Sequence, residues 1–145
     1  MNENIEILNE YMANLKVFNN NLYNMHFNVE GSSFLSIHKK LEEYYNKIAS
    51  FYDSVGERIK MLGGYPTMNL LKIEEISSIK SMKSMSYTGL QVMEVLDNDI
   101  SFLKDYTIDL INYYTKQNDY YTLNILNNNL NFFEKESWIT KESLK

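Results

Sequence analysis

The sequence predicts an all-α fold: four long helices in one bundle, with a short extra helix in the crossover between helices two and three. Three observations predict it. One proline and five glycines in 145 residues leave long uninterrupted intervals, which favour long helices over many short strands. Apolar residues recur at steps of three and four. The strongest breakers, Gly31 and the run Gly63-Gly64-Tyr65-Pro66, are spaced for helices of about 25 residues. With 44% hydrophobic residues the chain is long enough to bury one core, so residues 1–145 are read as a single domain.

Helix one is expected from about Asn4 to Val29, with Ile5, Leu8, Met12, Leu15, Phe18 and Leu22 on its apolar side. The turn Glu30-Gly31-Ser32-Ser33 follows, and Ser32 or Ser33 caps helix two. Helix two runs to about Leu62 and stops where the double glycine and proline cannot be crossed. A short helix near Asn69 to Ile76 and a Ser/Lys stretch to Ser86 make the crossover. Helix three spans roughly Tyr87 to Lys116, and helix four roughly Asp119 to Lys141. There is no internal repeat. The abundant Asn residues are spread along helical faces and are read as coding bias without a message.

Composition excludes several functions. No cysteine is present, which removes disulfides, thiolate catalysis and cysteine-bound zinc. A net charge of −5 repels phosphate backbones and anionic membranes. No window holds 18 apolar residues, and Met-Asn-Glu-Asn-Ile-Glu lacks the basic start of a signal peptide, so a cytoplasmic location is expected.

The two histidines, His26 and His38, lie twelve residues apart around the turn, and three acids follow in phase: Glu42, Asp53 and Glu57. Neutral imidazole with carboxylate suits a borderline transition metal such as ferrous iron. At ~100° per residue, with His38 at zero, Glu42 falls near 40°, Asp53 near 60° and Glu57 near 100°. The apolar set Phe34, Ile37, Leu41, Tyr45, Ile48, Tyr52, Val55, Ile59 and Leu62 clusters near ~280°, on a separate stripe. Ala49 and Gly56 fall beside the ligand stripe, where small residues let another backbone approach. His38 and Asp53 are about 22 Å apart along one helix and cannot share an ion within it. Two copies of helix two packed antiparallel about a dyad between Lys47 and Ile48 would set His38 against Glu57 of the partner subunit and Glu42 against Asp53 of the partner subunit. His26 would join them from helix one.

The stretch from Leu22 to Gly31, LYNMHFNVEG, then Phe34, Ile37-His38, Glu42, Asp53, Gly56-Glu57-Arg58 and Leu62-Gly63-Gly64-Tyr65-Pro66, closely resembles the Dps family of ferritin-like mini-ferritins. Phe133-Glu134-Lys135-Glu136-Ser137-Trp138 is similar to that family's last-helix motif, so the resemblance spans the chain. It implies a dodecamer of dyad dimers that oxidises ferrous iron with hydrogen peroxide and stores the ferric product in its cavity, detoxifying both. It also implies that His26, His38 and Glu42 of one subunit and Asp53 and Glu57 of its dyad mate are the metal ligands and the catalytic set, with iron shared between the two subunits. Three departures stand out. Glu42 replaces the common aspartate, and Phe27 replaces the usual tryptophan, which moves any electron-donor role to Tyr23, Tyr52 or Trp138. Asp119, Tyr120, Tyr121 and Asn124 occupy the start of helix four, on which the family's acidic three-fold pore draws. With no Lys-rich N-terminal arm and only Lys141 and Lys145 at the other end, DNA binding is not expected.

Two other functions compete with this one. A nucleoid-binding protein without iron chemistry would show salt-sensitive DNA binding. A di-iron carboxylate enzyme acting on an organic substrate would carry Glu-x-x-His pairs, and no Glu precedes either histidine by three residues.

Overall fold

A computed structural model describes residues 2–145. Its elements are α1 (Glu3–Asn28), β1 (Val29–Glu30), α2 (Phe34–Met61), α3 (Leu70–Ile76), β2 (Tyr87–Thr88), α4 (Gly89–Lys116) and α5 (Tyr120–Ser143). The all-α reading holds, with four long helices and the short crossover helix. By contact density the chain divides into a unit ending at Gly89 and a unit Leu90–Lys145.

In the first unit α1 and α2 form an antiparallel hairpin. His26 meets His38, Tyr23 meets Tyr45, Lys16 meets Tyr52, and Gly56 lies against Met12. The far end of α2 closes as sequence predicts: the Gly63 amide donates to the Lys60 carbonyl and the Gly64 amide to the Ile59 carbonyl. That pairing, with Gly63 at φ +89°, is a Schellman stop. Gly64 is needed for a different reason. A Cβ there would lie 2.7–2.9 Å from three side-chain atoms of Ile5. Gly64→Ala is therefore expected to cost about 1–3 kcal/mol by overpacking. In thermal or urea denaturation the cost should be less than additive when combined with Ile5→Ala, which removes those atoms.

The crossover runs along α1, held by asparagine side chains. Asn9 donates to the Tyr65 carbonyl and accepts from the Thr67 amide. The Oδ1 of Asn14 accepts from the amides of Ser78 and Ile79 and from the Ser77 hydroxyl, at 2.9, 3.1 and 3.2 Å. Asn21 bonds the Lys80 carbonyl and the Met82 amide, and Asn24 bonds the carbonyls of Met82 and Lys83. These asparagines carry a structural message, contrary to the compositional reading: they satisfy the backbone of a segment with little regular structure. The crossover ends in a two-residue parallel pairing, Val29 with Tyr87 and Glu30 with Thr88. Val29 and Tyr87, expected as helix ends, are instead extended and buried there.

The core face of α2 differs from its expected position. Leu41, Tyr44, Ile48, Phe51, Val55 and Ile59 are buried, whereas Tyr45 and Tyr52 are half-buried and Phe34 is exposed. On the wheel the buried set centres near ~260° rather than ~280°. Tyr45 and Tyr52 thus fall at its edge, beside the histidine stripe. Gly56 is buried with its Cα side on Met12 of the same chain, so its small size serves α1–α2 packing rather than an approaching partner.

In the second unit the buried residues of α4, from Val92 through Leu96, Ile100, Leu103 and Thr107 to Leu110 and Tyr114, keep a three-and-four spacing. Lys141 of α5 bonds Asp97 at 2.7 Å and Ser101 at 3.0 Å on α4. Asp119 caps α5: its carboxylate accepts from the amide and the hydroxyl of Thr122. Both of its oxygens are therefore engaged by the helix start. Among the described residues no helix is long and apolar enough to cross a membrane.

Candidate metal centre

His26 lies in the last turn of α1 and His38 in the second turn of α2, so the hairpin turn brings them face to face. Their rings stack with centroids 3.7 Å apart and planes 14° apart. Each is tied to the other's backbone: Nδ1 of His26 to the His38 carbonyl and Nδ1 of His38 to the His26 carbonyl, both at 2.8 Å. A carbonyl oxygen only accepts, so each Nδ1 carries the proton. In the neutral ring Nε2 then keeps its lone pair, the arrangement that a metal-binding histidine requires. Phe34 stacks on His38 at 4.9 Å, and Tyr45 meets His26 edge-on at 5.1 Å.

Glu42 is exposed one turn beyond His38, and the Tyr45 hydroxyl donates to its Oε1 at 3.4 Å. Loss of solvent around the phenol, then the Glu42 carboxylate and Tyr23, raise the pKa of Tyr45 above its ordinary value, so the phenol keeps its proton. Asp53 and Glu57 are exposed further along α2, one turn apart. They border an open depression of about 330 Å³ with Tyr52, Gly56, Lys60, Pro66 and Met68.

The structure thus brings the two histidines together and aligns Asp53 with Glu57, but it does not bring the five candidates together. Among the described residues no three His, Asp or Glu side chains of one chain converge on a common point. One chain presents two halves: nitrogen donors with one carboxylate at the start of α2, and two carboxylates near its end. Tyr45 is the neighbour that sequence reasoning placed wrongly, in the core. Its wheel angle of ~340°, midway between the stripes, was the available signal.

The ferritin-like domain model matches residues 5–145. DNA protection during starvation protein 2 of Bacillus anthracis is 34% identical over 107 residues, covering 74% of this chain and 68% of that protein. The chain belongs to the Dps family of ferritin-like proteins. The crystal structure of Dps from Staphylococcus aureus superposes with a TM-score of 0.93 at 28% identity, covering 99% of this chain and 95% of that one. The Dps protein of Vibrio cholerae O1, described as a member of a broad superfamily of ferritin-like diiron-carboxylate proteins, gives 0.93 at 26% identity over 99% of this chain and 89% of that one. The likeness to these structures covers nearly the whole chain, so the helices and the crossover between α2 and α4 belong to the Dps fold.

Proposed function

We propose that this Dps-family chain, acting as one domain over residues 1–145, oxidises ferrous iron with hydrogen peroxide at sites shared across a dyad and stores the ferric product inside a cage of twelve subunits. One observation carries the reading: the nitrogen and carboxylate halves of the donor set lie at opposite ends of α2 and are each incomplete. An antiparallel pair of these helices joins His26, His38 and Glu42 of one subunit to Asp53 and Glu57 of the partner subunit, twice per dimer. The exposed apolar run near the carboxylate half supports a covering copy. Tyr65, Met68, Leu70 and Leu71 are 80%, 55%, 72% and 84% exposed in the single chain, and Met68 borders the depression beside Asp53 and Glu57.

In this site iron is the substrate. Two ferrous ions give one electron each to one peroxide; the O–O bond breaks, two protons are taken up, and two waters and two ferric ions result. The chain supplies the Nε2 donors, the anionic anchors and, through the mutual Nδ1–carbonyl bonds, a fixed ring orientation. Protons compete with the metal for each Nε2, so ferrous affinity should fall as pH falls and recover as it rises. Anaerobic ferrous titrations at stepped pH check this, and an affinity that rises on acidification would exclude imidazole ligation.

The deciding experiment adds ferrous iron anaerobically, then stoichiometric peroxide, while ferric absorbance and particle size are followed together. Ferric product retained in a particle of fixed size is expected. A monomer in light scattering at neutral pH would remove the shared-site mechanism.

A further inference from the structure

We propose that Tyr65 is a positioning residue for the carboxylate half of the site: its ring holds the Lys60 ammonium off Glu57, so that Asp53 and Glu57 stay unneutralised for ferrous iron. The inference rests on the ferroxidase reading and adds a control on that same site.

The sequence sets up a competition for Lys60. It follows Glu57 by three residues on α2, a spacing at which side chains on one helix are neighbours and an acid pairs readily with a base. Lys60 also borders the depression that Asp53 and Glu57 line. Elsewhere in the chain pairs at this spacing do close: Lys40 with Glu43 at 3.7 Å, Lys72 with Glu75 at 3.6 Å and Lys145 with Glu142 at 2.8 Å. The last has the same acid-first order as Glu57 and Lys60. Lys60 nevertheless turns away. Its Nζ lies 4.3 Å from the centroid of the Tyr65 ring, and among the described residues no ion pair forms to Asp53 or Glu57. Tyr52, on the same rim, seats Lys16 in the same manner, with Nζ 4.6 Å from its ring centroid.

The seat on Tyr65 is built in advance. Tyr65 directly follows the Gly63-Gly64 stop, the Asn9 side chain donates to its carbonyl and accepts from the Thr67 amide, and Pro66 between them has a fixed φ. The backbone on both sides of the ring is therefore held. A cation over an aromatic face is attracted more strongly as water is removed, and so is an ammonium beside a carboxylate. In the proposed dimer a partner covers this depression, which raises the consequence of the choice. On Glu57, Lys60 would compete with the metal for the carboxylate; on Tyr65, it leaves both acids to the metal.

The test measures anaerobic ferrous binding by titration calorimetry on the assembled protein, with particle size checked for every variant. Tyr65→Leu, which removes the seat, should bind ferrous iron about three- to tenfold more weakly. Tyr65→Phe keeps the ring and should bind like wild type, as should Lys60→Met. The double variant Tyr65→Leu/Lys60→Met should recover wild-type affinity, because no ammonium is left to reach Glu57. The loss in Tyr65→Leu should also shrink at high salt, where an ammonium–carboxylate pair is screened. Phenylalanines carrying more and more ring fluorines at position 65 keep the shape and weaken the attraction for a cation. Affinity should fall stepwise along that series with Lys60 present and stay level in Lys60→Met. A double variant as weak as Tyr65→Leu, or a fluorine series that is level with Lys60 present, overturns the assignment even where Tyr65→Leu fails to assemble. Either result in a wild type that binds and oxidises iron leaves the ferroxidase reading standing. If wild type binds no ferrous iron, that reading fails and this inference falls with it.

Discussion

Replacing both imidazoles, His26→Ala with His38→Ala, is expected to leave the oligomer assembled and nearly abolish peroxide-dependent ferrous oxidation. The loss should exceed the ~10–100-fold typical when only an outer partner of a metal ligand is removed. Two Nε2 donors disappear, and the carboxylates alone bind ferrous iron weakly in water. The fold should tolerate the change, because the stacked rings sit at the hairpin end whereas the buried face of α2, from Leu41 to Ile59, lies on another stripe. The shared-site geometry makes a stricter claim. An inactive His26→Ala/His38→Ala chain reassembled with an inactive Asp53→Ala/Glu57→Ala chain should regain activity, since each mixed dimer has one complete site and one empty of all four groups. Mixed oligomers that form but stay inactive would show that the five residues do not work across a dyad.

Asn14→Ala is expected to destabilise the protein by about 3 kcal/mol, a large part of the 5–15 kcal/mol that holds a typical domain folded. Asn14 is fully buried, and its Oδ1 satisfies the amides of Ser78 and Ile79 and the Ser77 hydroxyl. Alanine leaves at least the buried Ile79 amide without this acceptor, and each buried donor so orphaned costs about 1–3 kcal/mol. Because the crossover also carries Pro66 and Met68 beside Asp53 and Glu57, its loosening should slow iron oxidation as well. Urea denaturation at fixed protein concentration measures the first effect. A change below about 0.5 kcal/mol, the scatter of ordinary surface substitutions, would deny Asn14 its pinning role.

The helices were legible because their signals are local. The three-and-four spacing and the Gly63-Gly64 stop each act within a few residues, and α2, α3 and α5 appear within three residues of their expected bounds. The same holds for the inventory of candidate ligands, since the wheel alone separates Glu42, Asp53 and Glu57 from the core. What escaped was set at long range. Val29 and Tyr87 carry helix-compatible sequence, yet their pairing across 58 positions overrides it. The asparagines of α1 look like coding bias until the crossover passes beside them; the spacings of seven between Asn14 and Asn21 and of three between Asn21 and Asn24 were the hints of a shared face.

The sequence by itself determined the helix lengths and their stops and offered a candidate donor set, because periodicity, backbone permissiveness and ligand chemistry are properties of residue type and spacing. Only the tertiary structure decided how those side chains are held. The reciprocal Nδ1–carbonyl bonds of His26 and His38, the Tyr23–Tyr45 stack and the Lys16 cation over Tyr52 all join residues of α1 to residues of α2. Helix spacing fixes the direction in which each side chain leaves its own axis. It does not fix which face of one helix is pressed against another, and here the buried face of α2 runs through Tyr44 and Phe51, which leaves Tyr45 at its edge beside the candidate site.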